Sequence, residues 1–229
     1  MHLVIFDIDG TIADSVIVDG ECFVEAFESI FGLSLSTPDW KDFKHVTDSG
    51  ITDELFSIHF GRRPNTEELN TLIQQFISNL HQRSNEITEI PGARDAIAIL
   101  NQTAKYAIAF ATGGWKESAY LKLEHIGLVP DNLVIITASD HFDRSEIIKS
   151  AIDQSLVSSR LKRFDSITYL GDGTWDMEAA SQLDIGFIGI DYKANNKLKT
   201  AGAKHVLKDL NELDQILNWI NEKASPKAN

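Results

Sequence analysis

Leu3-Val4-Ile5-Phe6-Asp7-Ile8-Asp9-Gly10-Thr11 is the stretch from which the fold is read. An apolar run ends in two carboxylates two positions apart. A buried strand of a parallel sheet has this character, because such strands are covered on both faces and offer their carboxyl ends to ligands. Ionised acids at that end are costly unless a cation or strong hydrogen bonds accompany them. A plainer reading is also open, in which Asp7 caps a turn and Asp9-Gly10 makes one.

Working outward, short apolar runs alternate with amphipathic helical stretches, the pattern of a parallel α/β sheet. The runs predict strands near Leu3–Asp7, Tyr106–Ala111, Leu133–Thr137, Ile167–Gly171 and Ile185–Ile190, with a short one near His205–Leu207. Pro91-Gly92 opens a helix with Ala93, Ile97 and Leu100 on its core face. Asp209, with Glu212 three residues on, is placed to cap a last helix carrying Leu213, Ile216, Leu217 and Ile220. Ser225 to Asn229 reads as a frayed tail.

The interval from Val16 to Glu89 breaks the rhythm: it holds several helices and no convincing strand. One helix carries Phe23, Ala26, Phe27, Ile30 and Phe31 and stops at Gly32. Another carries Leu69, Leu72, Ile73, Phe76, Ile77 and Leu80, with Asn65 and Glu68 set to cap its start.

With 229 residues, 43% hydrophobic and 24% charged, the chain can bury a substantial core as one domain or a domain with an insertion. Its net charge of −13 argues against nucleic acid, which calls for clustered Lys and Arg. The single cysteine, Cys22, rules out an internal disulfide and suits a reducing compartment; on an apolar helical stripe it reads as a small core residue. No apolar run approaches the ~18 residues of a membrane span, and the N-terminus enters a strand without a basic segment. The expected location is cytoplasmic. The seven histidines are scattered and form no metal-binding pattern.

Three segments, Leu3 to Thr11, Phe110-Ala111-Thr112-Gly113-Gly114 and Leu170-Gly171-Asp172-Gly173-Thr174-Trp175-Asp176, resemble signature motifs of the haloacid-dehalogenase-like (HAD) hydrolase superfamily. The resemblance is to its phosphatase branch, of the phosphoglycolate phosphatase kind. It implies a Rossmann-like parallel sheet core (residues 1–15 and 90–224) with an inserted all-helical cap (16–89). It also implies Mg²⁺-dependent hydrolysis of a small phosphorylated metabolite through an aspartyl-phosphate.

Under that resemblance Asp7 is the nucleophile, since a carboxylate attacking phosphorus splits one hard step into two. Asp9 matches the general acid–base, a role typically worth about 10²–10⁴ in rate. Gly10 allows the bend that aims both side chains at one centre. Asp172, Asp7 and the backbone carbonyl of Asp9 correspond to Mg²⁺ ligands, a hard cation that favours oxygen. Asp176 is either a further ligand or a helix N-terminal acid paired with the macrodipole. Thr112 is placed to bond a phosphoryl oxygen, with Gly113 and Gly114 leaving N–H groups free at the following helix start; a threonine packed at a strand end is the plainer reading. Family members often have Asn after this Thr or Ser, so Gly113 is a departure.

The superfamily also places a cation, commonly Lys, before the fourth core strand. Here Arg144 stands in that place, and Lys149 is about one and a half turns further on. Arginine adds a bidentate grip on phosphate oxygens. His45-Val46-Thr47-Asp48-Ser49-Gly50 reads either as a cap loop that brings Asp48 and Ser49 to the leaving group or as a solvated turn. A phosphomutase shares these acids. A phospho-aspartate receiver module, a binding switch, needs neither Asp9 nor the helical insertion. Substrate and any homo-oligomeric state stay open.

Overall fold

A computed structural model describes residues 1–35, 40–128 and 133–222; the expectation of a frayed tail at Ser225 to Asn229 lies outside them. The central element is a six-stranded, all-parallel sheet made of β1 (His2–Phe6), β4 (Tyr106–Ala111), β5 (Val134–Ile136), β6 (Ser166–Gly171), β7 (Gly186–Ile190) and β8 (Val206–Leu207). Their spatial order is β5-β4-β1-β6-β7-β8, and every adjacent pair is parallel. These are the strands expected, with no end displaced by more than one residue.

Every residue of β1 is buried, which is why it reads as an unbroken apolar run. Alternate residues go to opposite faces. Val4, Phe6, Phe110 and Leu170 join one apolar cluster with Ile97 and Leu100 of α4 (Ala93–Asn101) and Ile216 and Ile220 of α9 (Leu213–Glu222). Leu3, Ile5, Ala109 and Tyr169 join the other, with Ile147, Ile148 and Ala151 of α6 (Arg144–Ser159) and Ala179 and Ala180 of α7 (Thr174–Gln182).

The chain runs from β1 outward through β4 and β5, then returns to add β6 on the other flank of β1. Strand order reverses there, and the carboxyl ends of β1, β4 and β6 face one crevice. In register, Phe6 lies beside Phe110 and Leu170, so Asp7, one residue on, and Thr112 and Asp172, two residues on, emerge at the same end of the sheet.

Between β2 (Ala13–Asp14) and β3 (Thr88–Glu89), among the described residues, run the α-helices α1 (Val16–Phe31), α2 (Asp48–Phe60) and α3 (Thr66–Gln82). Gly32, at φ 67°, closes α1 by donating its N–H to Glu28 O. Asn65 and Glu68 form a capping box on α3, each side chain accepting the other's backbone N–H at 2.9 Å. These helices share one apolar cluster with the sheet, joined through Trp115: its ring lies 5.8 Å from Phe23 and 5.6 Å from Phe76.

Two expectations are corrected. The interval from Val16 to Glu89 does contain a strand: β3 (Thr88–Glu89) pairs antiparallel with β2 (Ala13–Asp14), so the helices leave and re-enter through one two-stranded neck. Two residues are too few for a period to show. And Asp209 does not cap the last helix. Leu210 is buried and donates its N–H to Pro91 O at 2.9 Å, holding the segment out of helix, so α9 begins only at Leu213 while Asp209 accepts from Asn211 N.

Candidate active site

Asp7 ends β1, and its N–H still extends the ladder, donating to Leu170 O at 2.9 Å. The residue is 3% exposed. One acid oxygen from each of Asp7, Asp172 and Asp176 falls within 4.8 Å of the others, a set able to hold a metal ion. Gly10 makes this approach feasible. It adopts φ +75°, and a Cβ there would lie 2.5 Å from Asp172 Cγ.

Burial, then the charge of Asp176, pushes the Asp7 carboxyl well above the usual carboxylate range, against the opposing pull of Arg144. Burial and Asp176 likewise raise Asp172 to about 6, although Lys197 opposes them. Closely gathered acids that resist ionisation are short of positive charge, and their hard oxygen donors fit Mg²⁺. Asp176 is fully buried, and its Oδ2 accepts from Gly173 N at 2.9 Å. The Tyr169 hydroxyl donates to its Oδ1 at 3.3 Å.

Arg144, the first residue of α6, sits over this group. Its Nη1 donates to Asp7 Oδ1 at 3.2 Å, its Nη2 to Val46 O at 3.2 Å, and its Nε lies 3.4 Å from Asp176 Oδ1. Lys149 is more than half exposed and pairs with Glu146 instead, so of the two cations considered it is Arg144 that reaches the acids. Gly113 explains how the larger head group fits. A Cβ on Gly113 would lie 2.9 Å from Arg144 Cζ and from Val46 O, inside contact distance. The Arg144 guanidinium thus occupies space that a side chain at position 113 would need.

Thr112 is buried at the end of β4 and lines the cavity with Asp7, Asp9, Arg144 and Asp172. The N–H groups that follow it are less available than expected. Gly114 N donates to Thr112 Oγ1 at 3.2 Å, Trp115 N to Asp48 Oδ2 at 2.8 Å, and Lys116 N to Ser139 Oγ at 3.0 Å, all at the head of α5 (Lys116–His125).

The stretch from His45 to Gly50 is neither a free loop nor a solvated turn. Thr47 caps α2, accepting from Gly50 N at 3.1 Å, and Asp48 to Gly50 form its first turn. Asp48 lines the cavity. Ser49 does not: its hydroxyl donates to Ala138 O at 2.7 Å and accepts from Trp115 Nε1 at 2.9 Å, fastening α2 to the sheet layer. Both of these Ser49 contacts are made within the protein.

Two lysines escaped the sequence reading. Lys197 Nζ lies 2.9 Å from Asp172 Oδ2 and over the Trp175 ring at 5.4 Å. It lies in a short helix, α8 (Lys197–Thr200), beyond the third motif, with nothing local to mark it. Lys122, on α5, is completely buried, with Nζ 2.6 Å from Asp9 Oδ1 and in ion-pair contact with Asp19 of α1. Its only sequence signal is a position one turn beyond Ser118 and Ala119, on the buried face of α5.

A family model described as haloacid dehalogenase-like hydrolase matches residues 4–190. Among solved structures, a hydrolase from Pseudomonas syringae superposes with a TM-score of 0.74 at 23% identity, covering 98% of this chain and 100% of that one. CbbY from Rhodobacter sphaeroides, in complex with phosphate, gives 0.69 at 19% identity, covering 92% and 95%. A predicted phosphoglycolate phosphatase from Haemophilus somnus gives 0.66 at 14% identity, covering 94% and 97%. No curated protein matches significantly.

Proposed function

Because the chain belongs to the haloacid dehalogenase-like hydrolases, we propose that it is a Mg²⁺-dependent phosphatase hydrolysing a small phosphate monoester through an aspartyl-phosphate on Asp7. The convergence of Asp7, Asp172 and Asp176 beneath Arg144, with Asp9 on the same cavity wall, carries this reading. Asp7, Asp172, Asp176 and the Asp9 carbonyl would hold the ion. When bound, it neutralises the acids and the phosphoryl oxygens.

Asp7 attacks phosphorus and the ester P–O bond breaks, with Asp9 giving its proton to the departing alkoxide. Asp9 then takes a proton from the water that attacks the aspartyl-phosphate. The Asp7–phosphorus bond breaks, releasing inorganic phosphate and restoring both acids. The Thr112 hydroxyl and the Arg144 guanidinium steady the non-bridging oxygens. Residues 16–89 act as a cap on the core of 1–15 and 90–224, excluding water until the ester is in place.

The cavity, of about 110 Å³, suits a small alcohol group. Its cap side presents Asp19, Asp48, Phe23 and Trp40. Among the described residues lining it, both cations are already matched, Arg144 by Asp7 and Lys197 by Asp172. A carboxylate on the alcohol would find acids there and no partner, so neutral or amine-bearing alcohols are favoured over glycolate-like ones. The net charge of −13 directs the reading away from nucleic-acid partners, which call for clustered Lys and Arg.

The test is Asp7→Asn, assayed with p-nitrophenyl phosphate and Mg²⁺ while thermal unfolding is followed in parallel. Turnover should vanish with the unfolding midpoint held. Acid-quenched wild-type protein, reduced with borohydride, should carry homoserine at position 7. Substantial turnover by the variant would end the proposal.

A further inference from the structure

The proposed chemistry makes no use of Lys122, whose surroundings are unusual for a lysine. Its side chain has no solvent exposure, and removing an ammonium from water costs several kcal/mol unless the charge is matched. The match comes from three different parts of the chain. Asp9 approaches from the turn after β1, at 2.6 Å; Asp19 approaches from α1, in direct ion-pair contact; and Asp48, the first residue of α2, adds its field. Burial works against the ammonium, and these three acids outweigh it, so Lys122 stays charged.

The acids answer in kind. Burial raises Asp19 to about 6 and Asp48 well above the usual carboxylate range, each held back mainly by Lys122. Without the lysine, the buried Asp48 and the partly buried Asp9 and Asp19, from three parts of the chain, would gather with no cation among them. Their arrangement around a point charge is therefore a junction between the core helix α5 and the two helices α1 and α2 that cover the crevice.

What makes the junction more than structural is which oxygen it holds. Lys122 Nζ and the Ser15 hydroxyl both meet Asp9 Oδ1, at 2.6 and 2.5 Å. Two anchors on one oxygen fix the carboxylate's torsion and leave Oδ2 to exchange protons in the cavity. A general acid works only within hydrogen-bond reach and in the right orientation.

Resting on the phosphatase reading, we infer that Lys122 is a positioning residue for proton transfer by Asp9. Through Asp19 it makes that positioning depend on α1 lying over the core. Lys122 pairs with Asp9 and Asp19 rather than with Asp7, Asp172 or Asp176, so its effect falls on the leaving-group side.

The experiment compares Lys122→Met and Asp19→Asn with wild type on ethyl phosphate, whose alkoxide needs a proton, and on p-nitrophenyl phosphate, whose leaving group does not. In Lys122→Met, kcat on ethyl phosphate should fall at least about tenfold further than on p-nitrophenyl phosphate, with KM for both within about threefold. Asp19→Asn keeps the Asp9–Lys122 pair and cuts the link to α1; it should shift the same ratio in the same direction by a smaller factor. Because the amide is isosteric, this variant reads the ratio even where Lys122→Met does not fold. Equal loss on both esters in either folded variant, or a change in KM alone, overturns the inference. That result would leave the phosphatase reading standing so long as Asp7→Asn is inactive, whereas an active Asp7→Asn would fail the reading itself.

Discussion

Replacing Gly113 by Asn should be damaging in this chain. A Cβ at that position would lie 2.9 Å from Arg144 Cζ and 2.9 Å from Val46 O, and the rest of the side chain needs still more room. Val46 O is backbone, so the guanidinium must yield. Arg144 would then lose its 3.2 Å contacts to Asp7 Oδ1 and Val46 O. A hydrogen bond between charged groups is worth about 1.5–3 kcal/mol, or roughly ten- to a hundredfold at ~1.4 kcal/mol per decade. Overpacking adds about 1–3 kcal/mol of lost stability. Gly113→Asn should thus lower kcat/KM for p-nitrophenyl phosphate by about ten- to a hundredfold and lower the unfolding midpoint. Arg144→Lys alone, leaving a gap beside Gly113, should lose about tenfold. The decisive measurement is the double variant. With the shorter cation and the larger residue together, activity should exceed the product of the two single losses by at least about tenfold, a coupling of ~1.4 kcal/mol within the range seen for touching residues. Independent, multiplicative losses would refute the claim that the two positions compensate each other, as would a Gly113→Asn enzyme within threefold of wild type.

The leaving-group side of the cavity carries a second prediction. Of O-phosphoethanolamine, propyl phosphate and phosphoglycolate, which differ mainly in terminal charge, phosphoglycolate should have the lowest kcat/KM by at least about tenfold; a preference for it would refute the charge argument. A third concerns acid stability. The Arg62 hydrogen bonds, then the Asn65 N–H, depress Glu68 from 4.5 to about 2. A depressed carboxyl contributes stability above its unfolded value, and that contribution is lost as pH falls from about 4.5 toward 2. Glu68→Gln should flatten the unfolding midpoint against pH across that window, the more so at low salt because the pair is exposed. Parallel curves for the two proteins would exclude the linkage.

Much of the architecture was legible in the chain because it is written in neighbouring residues. An all-buried parallel strand has to be apolar along its length, so β1, β4 and β6 announce themselves, and the acids and threonine at their ends follow in register. The helix from Thr66 to Gln82 was equally plain, since a capping box needs only residues three apart. Where reading failed, the deciding contact lay far along the chain. The stretch holding Asp48 and Ser49 read either as a cap loop at the leaving group or as a solvated turn, yet Trp115 and Ala138 fasten these residues at the head of a helix. The Thr88–Glu89 strand exists only because Ala13–Asp14 lies opposite. Asp209 failed as a cap because Leu210 is tied to Pro91.

Local spacing and hydropathy were thus enough to specify the parallel sheet, the helical insertion and the acids at the strand ends, because each depends on backbone geometry over a few residues. Which cation meets which acid was decided only by packing. Arg144 reaches Asp7 across 137 positions, and Lys197 reaches Asp172 across 25. Such pairings are set by burial and by which elements become neighbours in space, and no local pattern encodes the cost of leaving a buried charge alone.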